Sequence, residues 1–360
     1  MKIVFRVDAS VNIGSGHVMR CLALAIGLRE NGSVCCFVCR EHPGNLLKYI
    51  EDQGFKVVAL PIVDKNYSKE VSDLNRYSEW LGCHWSYDAI CTKEFLDQFQ
   101  PDWLIIDHYG LDIYAERILQ RKGQKIMVID DLANRHHKCD LLLDQNYFNS
   151  VTDRYKVIVP DKCTILLGPK YVLLRSEFTE YRQKASPRKG DVKRVFICFG
   201  GTDPDNLTGL IIDAFSLPLL NNLKVDVVIG SNNLNRENLE NRIFANSNIN
   251  LHVQIDYIAN LMSQADIAIG ATGSTTWERM CLGLPALVII AGENEKNIAI
   301  ELDNINFIKL LDIKNIHSPE LLEKEIFNYI NKNDERHSQS LKIMDMVDGK
   351  GVSRVIRELQ

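Results

Sequence analysis

The sequence predicts an α/β protein built from two doubly wound, Rossmann-like parallel-sheet domains in tandem. Three observations carry this. Short apolar runs rich in Val, Ile and Leu alternate with amphipathic stretches from end to end, the pattern of parallel strands covered by helices on both faces. The alternation pauses at the basic, Pro- and Gly-containing segment 182–193 and then restarts. At 360 residues the chain also has the length of about two domains.

In the first half, residues 3–7, 34–38, 57–60, 103–106, 126–129 and 141–143 read as buried strands. Helical patterns lie at 18–30, 46–53, 87–99 and 113–121. Segment 63–85 is polar, aromatic and poorly periodic, so it reads as a long loop or lid segment. Within and just after it, the run Trp80, Trp85 and Tyr87 is expected to be core rather than an apolar lid. In the second half, strands are expected at 194–199, 225–229, 250–254, 266–269 and 286–290. Helices are expected at 205–215, 235–244, 258–265, 274–281, 294–302 and 319–330, with another in the last 25 residues. The expected domains are 1–181 and 194–335, joined by the linker 182–193, with 336–360 packing back on the first.

Composition narrows the function. Apolar residues at 46% and charged residues at 25% exclude disordered and fibrous classes. A net charge of −5 supplies no basic face for nucleic acid. Several of the ten cysteines (Cys35, Cys36, Cys39, Cys198) lie in apolar strand-like runs, as reduced thiols of a cytoplasmic protein do. The N-terminal run is too short and charged for a signal peptide, and no segment approaches the roughly 18–20 apolar residues of a membrane span. Metal candidates are poor. Cys35, Cys36 and Cys39 would alternate across a strand, and His136-His137-Lys138-Cys139 lacks a second ligand pair at zinc spacing. No metal and no cofactor are expected.

In an open parallel sheet, ligands bind beyond the carboxyl ends of the strands. The first strand ends at Asp8 and leads into Gly14-Ser15-Gly16-His17 at the start of a helix. Paired glycines there admit a ligand to the backbone, and a helix N-terminus favours an anion. A dinucleotide fingerprint would need glycine at position 19, where Met19 stands. His17 reads equally as a helix-end histidine or as an imidazole aimed at the ligand. Later strands end in Asp107-His108-Tyr109, Asp130-Asp131 and Asp144-Gln145-Asn146. Together these suggest a rim for a polyhydroxylated or amide-bearing ligand, with Asp131 the member most readily explained as a cap.

The second half offers two anion sites. One is the glycine turn at Gly200 and Gly201, and the other is the small-residue turn Thr272-Gly273-Ser274-Thr275. Glu278 falls one helical turn in, either as a ribose acceptor or as a first-turn acid favoured by the helix dipole. No Walker A pattern occurs.

With these residues assembled, the whole chain resembles the UDP-2,4-diacetamido-2,4,6-trideoxy-β-L-altropyranose hydrolases of pseudaminic acid biosynthesis, within the wider MurG-like and spore-coat-polysaccharide group. The first-half motifs that carry the resemblance begin with Arg6-Val7-Asp8-Ala9-Ser10, Gly14-Ser15-Gly16-His17-Val18-Met19-Arg20 and Asp107-His108-Tyr109-Gly110. They continue with Asp130-Asp131-Leu132, Asp144-Gln145-Asn146 and Leu174-Arg175-Ser176-Glu177-Phe178. The second half adds Phe199-Gly200-Gly201-Thr202-Asp203, Gly273-Ser274-Thr275-Thr276-Trp277-Glu278 and Asp348-Gly349-Lys350-Gly351.

The resemblance implies a GT-B architecture with the active site in the cleft between the halves. It also implies attack of water at the anomeric carbon with inversion, and His17 as catalytic base. Substrate contacts would come from Asp8, Gly14, Ser15, Gly16, Arg20, Asp107 and Tyr109, and from Asp130, Asp144, Gln145, Asn146 and Arg175. UDP would be held by Gly200, Gly201, Thr272 and Gly273, by Ser274 and Thr275 on phosphate, and by Glu278 on ribose, and Asn294 would also contact the substrate. The chain departs from the family at Glu295, where glutamine is usual. A histidine near its ordinary pKa of about 6.5 suits a base for water, and UDP already leaves well. A GT-B glycosyltransferase using the same UDP-sugar is the nearest rival. A silent nucleotide-sugar-binding protein is the second, and the intact Gly16-His17 pair argues against it.

Overall fold

The computed structural model describes residues 1–63, 77–149, 153–244, 246–291, 296–313 and 318–360. The chain forms two units, the first of Met1–Arg175 with Gly351–Gln360 and the second of Ser176–Lys350.

In chain order the first unit contains β1 (Lys2–Val7), α1 (Gly16–Glu30), β2 (Val34–Arg40), α2 (Leu47–Asp52), β3 (Lys56–Leu60) and α3 (Trp85–Phe99). It continues with β4 (Trp103–Asp107), α4 (Ile113–Leu119), β5 (Lys125–Ile129), β6 (Leu141–Asp144) and β7 (Thr164–Leu167). The described strands form a parallel sheet in the order β3-β2-β1-β4-β5-β6-β7. Alternate residues face opposite sides. On one side Ile3, Phe5 and Val7 join Phe37, Ile105 and Met127, with Phe5 stacked on Phe37 at 4.9 Å. On the other, Val4 joins Val38, Leu104, Ile106 and Val128.

The second unit opens with α5 (Ser176–Lys184), β8 (Arg194–Cys198), α6 (Leu207–Phe215), β9 (Lys224–Ile229), α7 (Arg236–Ile243) and β10 (Ile249–Val253). There follow α8 (Ile258–Gln264), β11 (Ile267–Gly270), α9 (Thr275–Cys281), β12 (Ala286–Val288) and α10 (Lys296–Asn304). It ends with β13 (Lys309–Leu310), α11 (Pro319–Ile330) and α12 (Asn333–Met346). Its parallel sheet runs β10-β9-β8-β11-β12-β13, the same winding as the first. The final helix α13 (Gly351–Leu359) returns to the first unit, where Val355, Ile356 and Leu359 enter the core beside α1. Gly351 makes this return possible: a Cβ there would lie 2.1 Å from the Val172 carbonyl oxygen.

The structure moves several expected boundaries. The first unit ends at Arg175 rather than 181. Polar α5, with only Phe178 among its residues buried, gives no amphipathic signal and belongs to the second unit. The expected linker 182–193 is no free tether. Residues 182–184 are helical, and the Arg188 guanidinium donates to the carbonyls of Met262, Ser263 and Ala265 at the end of α8 (3.2, 3.1 and 2.8 Å). Of segment 336–360 only α13 rejoins the first unit, because α12 is held in the second by Gln339, which accepts from the Tyr329 hydroxyl at 2.8 Å. Strands β7 and β13, of four and two residues, are too short to show a period. Of the run Trp80, Trp85 and Tyr87, half-buried Trp85 packs on the core, whereas Trp80 is half-buried outside it and Tyr87 is exposed.

Candidate active site

The strand order of the first sheet reverses between β1 and β4, where ligands collect in doubly wound sheets. Residues 8–15 follow β1. The Ser10 hydroxyl oxygen accepts from the amides of Asn12 and Ile13 (3.2 and 2.9 Å), and the Gly14 amide donates to the Ser10 carbonyl at 2.9 Å. Gly14 closes the turn at φ +78°, a conformation that favours glycine. Helix α1 then starts at Gly16, and its N-cap Ser15 makes no side-chain cap bond. His17 stands in the first turn.

Asp107, the last residue of β4, meets that turn. The His17 Nδ1 atom lies 2.6 Å from Asp107 Oδ1. Arg20, one turn along α1, grips the same carboxylate with Nε (2.6 Å) and Nη2 (2.7 Å), and donates from Nη1 to Asp131 Oδ2 at 2.7 Å. The Tyr109 hydroxyl donates to Asp131 Oδ2 at 2.6 Å. Burial opposes the charge on Asp107, but Arg20 and His17 outweigh it and hold the carboxyl well below its ordinary range. Because the carboxylate stays ionised, the 2.6 Å contact requires the proton on His17 Nδ1. The lone pair of the neutral ring is then on Nε2, which has no hydrogen-bond partner among the described residues. The His17 side chain keeps 11% exposure. Burial and Asp131 push the Tyr109 phenol up, so it remains a donor.

The other expected rim residues are placed differently. Asp8 is fully buried in a separate cluster with Arg6, Asp88 and Arg40. Its Oδ1 accepts from Arg6 Nη1 (2.6 Å) and the Arg40 amide (2.7 Å), and its Oδ2 accepts from Arg6 Nη2 (2.8 Å). The Gly110 amide donates to His108 Nδ1 at 2.9 Å, which leaves the His108 proton on Nε2, 3.3 Å from Asp8 Oδ2. Asp8 is therefore a scaffold residue with its oxygens spent.

Asp130 pairs with Arg135 at 2.7 Å and accepts from the Ala133 amide at 2.8 Å. Asp144 accepts from the Tyr155 hydroxyl (2.8 Å), the Asn146 amide (3.0 Å) and Arg154 Nε (3.2 Å). Burial, reinforced by Asp131, pushes its carboxyl up to about 7. Gln145 is buried and accepts from the Leu173 amide at 3.1 Å, whereas Asn146 and Arg175 are half-buried. Asp131, read from the sequence as a cap, instead bridges Arg20 and Tyr109; only the fold could pair side chains so far apart in the chain.

In the second unit the two turns differ. Asp203 caps α6, accepting from the amides of Leu207 (3.0 Å) and Thr208 (2.8 Å), and Asn206 accepts from the Gly209 amide at 3.3 Å. That helix end is filled by the chain's own acceptors, so the glycine turn at Gly200 and Gly201 offers no open helix terminus. Gly200 adopts φ +90°, and the Gly201 carbonyl accepts from the Gly230 amide at 3.0 Å. By contrast, the N-cap of α9, Ser274, makes no side-chain cap bond. Buried Arg279, which the sequence reading did not single out, shapes this turn by donating to the Ala271 carbonyl (2.9 Å) and the Thr276 hydroxyl (3.0 Å). Thr272 is buried, Gly273, Ser274, Thr275 and Glu278 are half-buried, and Gly270 brings the turn against β8, where a Cβ would lie 2.2 Å from the Cys198 carbonyl oxygen. Asn294 and Glu295 lie outside the described residues. Among the described residues no group of three or more His, Cys, Asp or Glu could hold a metal ion, and no helix is long and apolar enough to cross a membrane.

No protein-family model matches the chain. It is 30% identical to the UDP-2,4-diacetamido-2,4,6-trideoxy-β-L-altropyranose hydrolase of Campylobacter jejuni over 300 residues, covering 83% of this chain and 95% of that protein. It is 23% identical to the spore coat polysaccharide biosynthesis protein SpsG of Bacillus subtilis, covering 100% and 98%. Among solved structures, MurG of Acinetobacter baumannii superposes with a TM-score of 0.63 at 15% identity, covering 100% of this chain and 99% of that one. The architecture is that of the GT-B proteins.

Proposed function

Because the chain belongs to the UDP-2,4-diacetamido-2,4,6-trideoxy-β-L-altropyranose hydrolase family, we propose that it hydrolyses such a UDP-sugar to UDP and free sugar in pseudaminic acid biosynthesis. The oxygen of water bonds to the anomeric carbon, and the bond from that carbon to the phosphate oxygen breaks. UDP leaves with that oxygen, His17 Nε2 takes the water proton, and the anomeric centre inverts. Asp107 fixes the Nδ1–H tautomer and stabilises the imidazolium that forms, a division of labour familiar from other His–Asp pairs.

The observation that carries this reading is the 2.6 Å contact between His17 Nδ1 and ionised Asp107, which presents Nε2 with its lone pair. Helix α1 adds an uncapped N-terminus beside the base. We assign the diphosphate to Gly273, Ser274 and Thr275 at the open turn before α9, and the ribose to Glu278. The sugar falls to Tyr109, Asn146 and Arg175, with Asp130, Asp144 and Gln145 holding the rim in shape. The family's usual sugar is carried over, and ten free thiols, eight of them buried, fit a reducing cytoplasm.

The test is to incubate the protein with a UDP-2,4-diacetamido-2,4,6-trideoxyhexose, without acceptor, and measure UDP and free sugar. The expected result is release of both, reduced about 10²–10⁴-fold by His17→Ala with the fold unchanged. Intact substrate would overturn the hydrolase reading, and UDP release only with an added acceptor would indicate transfer.

A further inference from the structure

One aromatic residue beside His17 has no part in this chemistry. A 3-10 turn at Ser78–Leu81 places Trp80 over Tyr109, with ring centroids 5.5 Å apart and planes at 26°. Trp80 meets Tyr77 edge-on at 4.9 Å and lies 6.1 Å from the His17 ring at 82°. Tyr109 is buried beneath it, but Trp80 is only half-buried. Its indole N–H has no hydrogen-bond partner among the described residues. A tryptophan that served only to seal a core would be covered, and its N–H would be paired.

We propose that Trp80 is a specificity-determining residue, an apolar wall with one free donor that seats the methyl-bearing edge of an N-acetylated 6-deoxyhexose next to His17. The proposal rests on the hydrolase reading. A 2,4-diacetamido-2,4,6-trideoxyhexose carries acetamido groups in place of the C2 and C4 hydroxyls and hydrogen in place of the C6 hydroxyl, so that three of its substituents end in methyl. Any sugar whose anomeric carbon receives water activated by His17 lies within reach of a ring in contact with His17. Methyl groups gain by leaving water against an indole face, whereas hydroxyls pressed there without partners lose hydrogen bonds. The indole N–H suits an acetamido carbonyl, an acceptor that a methyl-free hexose lacks.

The test measures affinity by calorimetry in the His17→Ala background, where turnover is expected to be too slow to interfere, for the diacetamido UDP-sugar, UDP-N-acetylglucosamine and UDP. Adding Trp80→Ala is expected to weaken the diacetamido UDP-sugar roughly tenfold or more, the low end of what a hydrophobic pocket discriminates. UDP affinity should stay within about twofold on the same scale, and the preference over UDP-N-acetylglucosamine should shrink. Trp80→Phe keeps a ring on Tyr109 and should recover part of the loss, separating wall from fold. Equal affinity for the diacetamido sugar with and without Trp80 would overturn the inference, as would a parallel loss of UDP binding. If the Trp80-containing protein bound that sugar no better than UDP alone, the substrate reading would fail and the Trp80 inference with it. Should His17→Ala still turn over, KM for the sugar against the inhibition constant of UDP gives the same comparison, and only the base assignment is lost.

Discussion

Arg6 and Arg20 each lie between two aspartates in the first unit, and the two clusters end differently. Arg6 points to one face of β1 between Asp8 and Asp88, with Arg40 completing a set that is sealed from solvent. Each oxygen of Asp8 and of Asp88 meets a guanidinium or an amide. Arg20 lies between Asp107 and Asp131, but there one carboxylate oxygen also meets a histidine whose other nitrogen is open. Similar charges thus do two jobs. The sealed cluster fixes β1 against β2 and α3, while the open one sets the tautomer of a base. What separates them is whether a titratable ring remains at the edge.

Breaking the sealed cluster should have the largest effect on the fold. Asp88→Ala leaves two buried guanidiniums without their shared partner, and a loss of about 3–5 kcal/mol is expected in urea denaturation. A loss below about 1 kcal/mol would place this cluster with surface pairs. Asp107→Asn strikes the open cluster. The ring is freed to adopt the wrong tautomer, and kcat should fall of the order of 10²-fold or more with a smaller change in KM. An unchanged kcat would reduce Asp107 to a partner of Arg20.

A milder contrast lies in the second unit, between a helix end filled by its own chain and one left open. Asp203→Ala should cost about 1 kcal/mol as a lost cap and leave UDP affinity nearly unchanged. A large loss of UDP binding would assign the glycine turn to the nucleotide after all.

The smallest effects concern pH, and their signs differ. Asp107, held below its ordinary range, contributes stability that is present above about pH 4 and lost as pH falls through its folded value. Asp144, raised to about 7, does the reverse: its contribution is present below about pH 4 and disappears as pH rises through 7. Asp144→Asn should therefore raise Tm more at pH 8 than at pH 5. Equal shifts at the two values would mean that Asp144 is ionised throughout.

The winding of both sheets was legible because buried parallel strands and helices leave different periods. His17 and Asp107 were legible as groups at strand ends, 90 residues apart, but their contact comes from the pairing of β1 with β4. Asp8 reads as a ligand group from its place at a strand end, whereas its oxygens are taken by Arg6, with which it shares a face at two-residue spacing, and by the Arg40 amide. The two turns of the second unit look alike in composition. Only the structure shows that Asp203 reaches back to its helix while Ser274 does not. Trp80 sits in a stretch without periodicity, so nothing in the sequence distinguished a ring beside the base from a ring in the core.

The central claim, water activated by His17 attacking carbon rather than phosphorus, is tested most directly by running the reaction in ¹⁸O-labelled water and analysing both products by mass spectrometry. The account predicts the label in the anomeric hydroxyl of the released sugar and none in UDP. Label in the terminal phosphate of UDP would contradict it.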